Sequence, residues 1–286
     1  MPSIHELVAS ARLRLRDAGI ATAEADLDAR VIAERLLQWD AARYFTDAFQ
    51  PATDTFASTY GSAIDRRVRR EPVAYITGFQ EFWGLPFEVS PAVLIPRPET
   101  ELIVEASLDW WTDRHARLRV ADVCTGSGCL AVTIAHERPA AVVVASDISR
   151  DALAVALHNA ARHGVDRRIE FVETDLLTGV SGLFDLIVSN PPYVPAGEAP
   201  SLAPEVRQHE PHVALFGGAD GLSIIEALVR QAAACLAPSG RFLFEFGFGQ
   251  ADAVSRIVAA TSSLELLELR RDLQGIPRTA VVGYAR

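Results

Sequence analysis

The stretch RVADVCTGSGCLAV at residues 119–132 decides the fold of this chain. It is an apolar run, two closely spaced glycines and a second apolar run, which predicts a strand, a tight turn and a helix. Gly126 and Gly128 permit the turn and let a ligand approach the backbone, and the N–H groups that open the helix point toward that ligand. The segment therefore predicts a nucleoside-binding loop in an α/β protein.

An acid follows at the spacing of a ribose contact. A second apolar run, at residues 141–145, leads into Ser146 and Asp147. An acid about 20 residues beyond such glycines, at a strand end, commonly accepts hydrogen bonds from ribose hydroxyls. The loop also satisfies the G-x-G-x-x-A dinucleotide fingerprint through Ala131, so an NAD-dependent enzyme is an alternative on this stretch alone.

A third apolar run, at residues 184–189, ends in Asn190, Pro191, Pro192 and Tyr193. The Asn190 side-chain oxygen and a carbonyl of the Asn-Pro segment can accept both protons of a planar NH2 group. The prolines fix φ at about −65° and bring no N–H donors, and Tyr193 can stack on a bound amide or base. Taken alone, the motif is also an ordinary strand-ending turn. After a nucleoside loop it favours methyl transfer to nitrogen, because hydride transfer has no need for paired NH2 acceptors.

The order and spacing of Asp122, the glycine loop, Asp147, Asp175 and the Asn190 motif resemble class I S-adenosylmethionine methyltransferases that modify planar nitrogens. Further stretches narrow the resemblance: REPVAYITG at 70–78, LIPRPETE at 94–101, EPHVAL at 210–215, GGADG at 217–221 and EFGFGQ at 245–250. Over essentially the whole chain, the sequence is similar to the protein-(glutamine-N5) methyltransferases that act on peptide-chain release factors.

The resemblance implies S-adenosyl-L-methionine as the cofactor, a release factor as the protein partner, and the glutamine of its GGQ motif as the methyl acceptor. The implied cofactor-binding residues are Cys124, Thr125, Gly126, Ser127, Gly128, Asp147, Asp175, Leu176 and Asn190. The implied catalytic and substrate-binding residues are Asn190, Pro191, Pro192 and Tyr193. No metal site is expected.

Two positions depart from the family pattern. Cys124 stands where the family usually has glycine, and we expect it to adopt a negative φ and to contact the cofactor mainly through its backbone. Leu176 stands where relatives often carry an aromatic residue, so we expect aliphatic packing against adenine.

Composition and charge limit the partners. The chain has 286 residues, of which 49% are hydrophobic, and a formal net charge of −10, which disfavours stable binding to nucleic acid phosphates. An adenine-N6 methyltransferase of RNA or DNA is the main alternative, and it should carry a basic track; a non-catalytic cofactor-binding module is the other. No apolar run reaches about 18 residues, so we expect no membrane partner and a cytoplasmic location. The three cysteines form no C-x-x-C pair.

Periodicity divides the chain into three parts. Residues 1–72 carry apolar residues at helical spacing and predict a helical substrate-recognition domain. Residues 73–98 predict a hairpin-like connector. Residues 99–286 alternate helix and strand, which predicts a doubly wound, mostly parallel sheet with the ligand at its carboxyl edge. The basic cluster at Arg66–Arg70 is interpreted either as a solvated helix face or as a contact with a partner.

Overall fold

A computed structural model describes residues 1–285, which contain eleven α-helices and nine β-strands. The helices are α1 Ile4–Asp17, α2 Thr22–Leu37, α3 Ala41–Asp47, α4 Asp54–Val68, α5 Val73–Thr77, α6 Glu101–Trp110, α7 Cys129–Glu137, α8 Arg150–Arg162, α9 Pro204–His209, α10 Ser223–Cys235 and α11 Ala251–Ala260. The strands are β1 Phe79–Phe82, β2 Leu85–Glu88, β3 Arg119–Val123, β4 Val142–Asp147, β5 Ile169–Glu173, β6 Phe184–Ser189, β7 Leu236–Glu245, β8 Leu264–Arg271 and β9 Pro277–Tyr284.

Seven strands form the main sheet, in the order β5-β4-β3-β6-β7-β9-β8. The pairs from β5 to β7 are parallel, and β9 pairs antiparallel with both β7 and β8. The chain moves outward from β3 to one side through β4 and to the other side through β6, so the strand order reverses at β3. In such sheets a ligand binds beyond the carboxyl ends of the strands at this reversal. The predicted doubly wound, mostly parallel sheet is confirmed.

Both faces of the sheet are buried, as parallel strands require. Val120, Leu186 and Val188 pack into the core on one face, and Ala121 and Ile187 pack into the core on the other. Because the two faces draw on alternate residues, each central strand is apolar along nearly its whole length. The polar residues at the strand ends are therefore the chemically informative ones.

The residues Met1–Phe79 and Ala203–His209 form a compact helical unit, and the remaining described residues form a second unit around the sheet. The first helix begins at a capping box, in which Ser3 accepts the Glu6 backbone N–H and the Glu6 carboxylate accepts the Ser3 backbone N–H. The helices bury their own apolar core, which includes Val8, Leu15 and Ile32.

The basic cluster Arg66–Arg70, at the end of α4, includes a buried arginine. Arg67 is only 2% exposed, and its guanidinium donates to Asp28 at 2.7 Å, Glu24 at 2.7 Å and Glu205 at 2.8 Å. Arg70 also pairs with Glu205, at 2.7 Å. The interpretation as a solvated helix face is therefore wrong for Arg67, because three carboxylates distant in sequence neutralise its buried guanidinium. Contact of the cluster with a partner remains a prediction.

Arg66 and Arg69 complete the cluster. Arg66 pairs with Glu71 at 2.5 Å, and Arg69 is exposed. Arg66, Arg67 and Arg70 thus form ion pairs within the helical unit, and Arg67 is the buried one.

The strands β1 and β2 pair as a two-stranded sheet within the segment expected to form a hairpin. The two boundaries expected for the domains, after residue 72 and after residue 98, remain predictions. The short helix α9 was not expected from the sequence. The strand β7 begins at Leu236, which pairs with Phe184 of β6, and the register of the pairing shifts before Arg241.

Candidate functional site

The glycine loop, residues 124–128, lies between the carboxyl end of β3 and the start of α7. Gly128 has φ +79°, and a Cβ placed there would lie 3.0 Å from the Cβ of Ala156. Glycine is thus needed for both the left-handed backbone and the close approach of α8. The loop is the tight turn that the sequence predicts.

The expectation of a negative φ at Cys124 is wrong. Cys124 has φ +61°, in the left-handed region that a residue with a Cβ adopts only at a cost of roughly 1–2 kcal/mol. Its half-buried side chain packs against the apolar core on one face of the sheet, and burial raises the pKa of its thiol. The loop therefore keeps a glycine-like backbone although its first residue is cysteine.

Asp122 braces the loop from below. It is fully buried, and its Oδ2 accepts the Thr125 hydroxyl at 2.6 Å and the Ala131 backbone N–H at 3.0 Å, while its Oδ1 has no partner within residues 1–285. Burial raises the pKa of this carboxyl to about 7, against the effect of its two hydrogen-bond donors. The carboxyl links the end of β3 to the start of α7.

Asp147 holds the other side of the loop. Its Oδ2 accepts the Gly126 backbone N–H at 2.9 Å, and its Oδ1 accepts the Ser149 backbone N–H at 2.9 Å. Burial raises the pKa of this carboxyl, although the backbone donors work to lower it. Each carboxylate oxygen keeps a second lone pair, so Asp147 can brace the loop and still accept hydrogen bonds from a ribose.

A cavity opens at this edge of the sheet. Of the site residues expected from the sequence, nine line it: Cys124, Thr125, Gly126, Ser127, Asp147, Asp175, Leu176, Asn190 and Pro192. Gly128, Pro191 and Tyr193 do not line the cavity. Leu176 is buried, with φ +53°, and presents an aliphatic wall.

The sequence analysis missed several walls of the cavity. They come from a segment before α6, from the residue after Asp147, from the segment that precedes α10 and from the first turn of α10: Ala92, Val93, Leu94, Ile148, Pro211, Val213, Ala214 and Ile224. Pro96 and Thr100 also line the cavity, within the segment 95–101 that the family resemblance implies as a wall of the site. Buried Glu210 accepts the Ile95 backbone N–H at 3.2 Å and also pairs with Arg97, which ties two of these walls together.

Asn190 lies at the carboxyl end of β6, where its side chain belongs to a buried hydrogen-bond network. Its Nδ2 donates to the Thr100 hydroxyl at 2.9 Å, and this hydroxyl donates to Glu245 Oε2 at 2.6 Å. Tyr193 donates its hydroxyl to Glu245 Oε1 at 2.9 Å. Glu245 was missed as a site residue, although a lone acid at the end of the apolar strand RFLFE was a usable signal.

The described residues contain no group of three or more His, Cys, Asp or Glu side chains that could hold a metal ion. In the same part of the chain, no helix is long and apolar enough to cross a membrane.

Known protein families match both units. The PrmC N-terminal domain family matches residues 6–78, and the methyltransferase small domain family matches residues 104–206. Among solved structures, the ribosomal protein L11 methylase from Lactobacillus delbrueckii subsp. bulgaricus has a TM-score of 0.50 and 25% identity, covering 66% of this chain and 81% of that chain. The sheet order, glycine loop and carboxyl-edge cavity thus define a class I methyltransferase.

Similarity to curated relatives extends over nearly the whole chain. The release factor glutamine methyltransferase of Bradyrhizobium diazoefficiens is 43% identical over 93% of this chain and 89% of the relative. The one from Koribacter versatilis is 45% identical over 88% of this chain and 90% of the relative. The chain belongs to the release factor glutamine methyltransferase family.

Proposed function

We propose that this chain transfers a methyl group from S-adenosyl-L-methionine to the side-chain amide nitrogen of a glutamine in a peptide-chain release factor. The observation that carries the proposal is the orientation of the Asn190 amide. Its Nδ2 is committed to Thr100 at 2.9 Å, so its Oδ1 is the end left to accept a hydrogen bond in the cavity. An acceptor at this point suits an NH2 group.

The residues of the cavity fit S-adenosylmethionine. Asp147 offers lone pairs for ribose hydroxyls, and Ile148 and Leu176 offer apolar surface for adenine. When bound, S-adenosylmethionine would supply an electrophilic methyl group on a positively charged sulfur.

The residues of the chain would activate the acceptor by alignment. A glutamine nitrogen is a weak nucleophile because its lone pair is delocalised into the carbonyl. Hydrogen bonds from the NH2 group to Asn190 Oδ1 and to the Pro191 backbone carbonyl would hold the nitrogen in one direction and draw electron density onto it. As the new N–C bond forms, the nitrogen becomes cationic and acidic, so its proton can leave to water without a strong base. Pro191 and Pro192 keep these acceptors rigid.

The helical unit is the part of the chain that we assign to recognition of the folded release factor. One amide held by two acceptors cannot supply much affinity, so contacts away from the reacting group must contribute. The helical unit contributes no residue to the cavity lining, and it exposes Phe45 at 66% and Phe49 at 71%. Exposed aromatic side chains are frequent anchors in protein interfaces.

This recognition role is testable with the full-length chain. We expect the double substitution Phe45→Ser and Phe49→Ser to lower kcat/KM for a folded release factor by about tenfold or more, and to leave kcat/KM for a short glutamine peptide unchanged. The same pair of Ser substitutions at Leu13 and Leu27, also exposed on helices of this unit, is the control. Equal losses on protein and peptide would remove the support for recognition.

The methyl transfer itself is tested with labelled S-adenosylmethionine and three acceptors: a release factor, RNA and DNA. We expect label only in the release factor, and none when its acceptor glutamine is replaced by alanine. Label in RNA or DNA adenine would assign the Asn190 motif to a base instead. Because release factors act in translation, we place the activity in the cytoplasm.

A further inference from the structure

We propose that Thr100, Glu245 and Tyr193 are positioning residues, which together fix the direction in which the Asn190 amide points. This inference rests on the proposed function, because it explains how the acceptor end of Asn190 comes to face the glutamine. None of the three needs to touch the reacting atoms to do so.

Glu245, at the buried end of the network, determines which groups donate and which accept in its hydrogen bonds. Glu245 is only 1% exposed and ends β7. An ionised carboxylate accepts hydrogen bonds and cannot donate them. The Thr100 and Tyr193 hydroxyls, at 2.6 Å and 2.9 Å, must therefore both point their hydrogens toward Glu245.

That constraint passes to Asn190. With its one hydrogen committed to Glu245, Thr100 has only lone pairs to offer, so the group that faces it at 2.9 Å must be the Asn190 NH2 and not the oxygen. The amide is planar, with its oxygen on the opposite side from this contact. Thus the carboxylate of Glu245, 55 residues after Asn190 in the sequence, determines which end of the Asn190 amide faces the substrate.

Glu245 is balanced by hydroxyls instead of a cation. Within residues 1–285 it forms no ion pair, and burial raises the pKa of its carboxyl, while hydrogen bonds from Thr100 and Tyr193 act to lower it. Burial is the larger effect and leaves the pKa above its ordinary value, while the two donors act toward the ionised form in which both hydroxyls must donate.

Tyr193 is clamped at a second point. Gln250 donates its Nε2 to the Tyr193 backbone oxygen at 2.9 Å and accepts the Gly247 backbone N–H at 2.7 Å. A Cβ at Gly221 would lie 2.1 Å from the same Tyr193 oxygen, so this segment has no room to shift. Such packing keeps the hydroxyl of Tyr193 aimed at Glu245.

A reversed Asn190 amide would oppose the reaction. Its NH2 group would face the NH2 group of the glutamine, and two donors cannot pair. The penalty for a buried unpaired donor corresponds to about a ten- to hundredfold loss in rate. It would appear in kcat and in the KM for the release factor, but not in the affinity for S-adenosylmethionine.

The test compares three single substitutions. Thr100→Val keeps the shape and removes the hydroxyl, and Thr100→Ser keeps the hydroxyl. Thr133→Val removes a hydroxyl that is equally buried but has no hydrogen-bond partner among the described residues. We expect Thr100→Val to lower kcat by about ten- to hundredfold with unchanged affinity for S-adenosylhomocysteine, Thr100→Ser to recover most of the rate, and Thr133→Val to match the unsubstituted protein. Wild-type kcat in Thr100→Val, or equal loss in Thr100→Ser, would overturn the proposal.

A second measurement does not depend on the substrate. In 1H–15N spectra, the Asn190 side-chain NH2 signal, identified by its absence in Asn190→Ala, should exchange slowly with water in the unsubstituted protein and faster in Thr100→Val. Equal exchange in the two proteins would refute the network even if release factors are methylated. Slowed exchange with no transfer to release factors would instead refute the proposed function and leave the network in place.

Discussion

Arg67 in the helical unit and Glu245 at the end of β7 are both almost fully buried charged groups, yet the protein compensates them in opposite ways. Arg67 is surrounded by the carboxylates of Glu24, Asp28 and Glu205. Glu245 accepts hydrogen bonds from two neutral hydroxyls, those of Thr100 and Tyr193. Ion pairs compensate charge from many directions, whereas hydroxyl donors compensate it along defined lines. The comparison suggests that the Arg67 network stabilises the fold, and that the Glu245 network fixes the orientation of the Asn190 amide.

The largest expected effect tests the first half of this comparison. We expect Arg67→Met to lower the free energy of unfolding of the helical unit by about 3–5 kcal/mol, because it leaves three carboxylates without their shared partner. Urea unfolding followed by circular dichroism measures it, with exposed Arg69→Met as the control from the same helix turn. If both substitutions cost the same, the Arg67 network does not stabilise the fold and the contrast fails.

Asn190→Ala tests the second half. We expect a fall in kcat of about a hundred- to a thousandfold, because the substitution removes the oriented acceptor, with little change in the free energy of unfolding or in the affinity for S-adenosylmethionine. Single-turnover assays, calorimetry and melting curves measure the three quantities. Near-wild-type turnover would show that Asn190 does not hold the substrate.

The chain offers a matched comparison for that result. Asn159 is the other asparagine of the sequence, and its buried Nδ2 donates to the backbone oxygens of Ser127 at 2.9 Å and Glu88 at 3.0 Å. We expect Asn159→Ala to show the opposite pattern: a loss of about 1–3 kcal/mol in the free energy of unfolding and weaker binding of the methyl donor.

Asp122 sharpens the comparison, because it is buried with neutral donors on one oxygen and no partner on the other. Its pKa is about 7 in the folded protein against an ordinary value of 3.8, so the folded state binds the proton more tightly. The stability that this proton contributes is complete below about pH 4 and is lost as the pH rises to about 7, by at most about 1.4 kcal/mol per pH unit.

We therefore expect Asp122→Asn to flatten the fall in the free energy of unfolding between pH 4 and pH 7. Urea unfolding at several pH values measures the slope, and exposed Asp175→Asn is the control. An unchanged slope in Asp122→Asn would show that this carboxyl is ionised in the folded protein at low pH.

The smallest effect concerns Asp147, whose carboxylate is compensated only by backbone N–H groups. Asp147→Asn would place an NH2 group against the N–H of Gly126 or Ser149 and weaken the acceptor for a ribose. We expect the affinity for S-adenosylmethionine to fall by about tenfold or more in calorimetric titration. Unchanged affinity would assign Asp147 to the fold alone.

Apolar runs in the sequence made most of the unit around the sheet predictable. The strand Phe184–Ser189 has the bounds of the apolar run that predicts it, and the strand Val142–Asp147 follows from the run at residues 141–145. Their apolar residues recur at the period of the element, and turn residues flank them. The nine expected residues that line the cavity also follow strand ends or the glycine turn, where local pattern and position in the sheet coincide.

What the sequence could not provide is the pairing of polar side chains that are distant along the chain. Thr100 and Glu245 are 145 residues apart, and Arg67 and Glu205 are 138 apart. No local pattern says which carboxylate a buried donor will meet, so Arg67 had the pattern of a surface charge. The φ of Cys124 was likewise set by the glycine-like turn around it and not by its own preference.

The brace that Asp147 provides has a consequence for the thermodynamics of binding. Its two oxygens fasten Gly126 and Ser149, so the glycine loop has lost its backbone freedom before any ligand arrives. Fixing one residue costs roughly 1–2 kcal/mol of conformational entropy. For residues 124–128, this conformational entropy is lost when the protein folds and not when the ligand binds. The loop should therefore bind its ligand with a small entropic penalty, and its amide hydrogens should be protected from exchange already in the free protein.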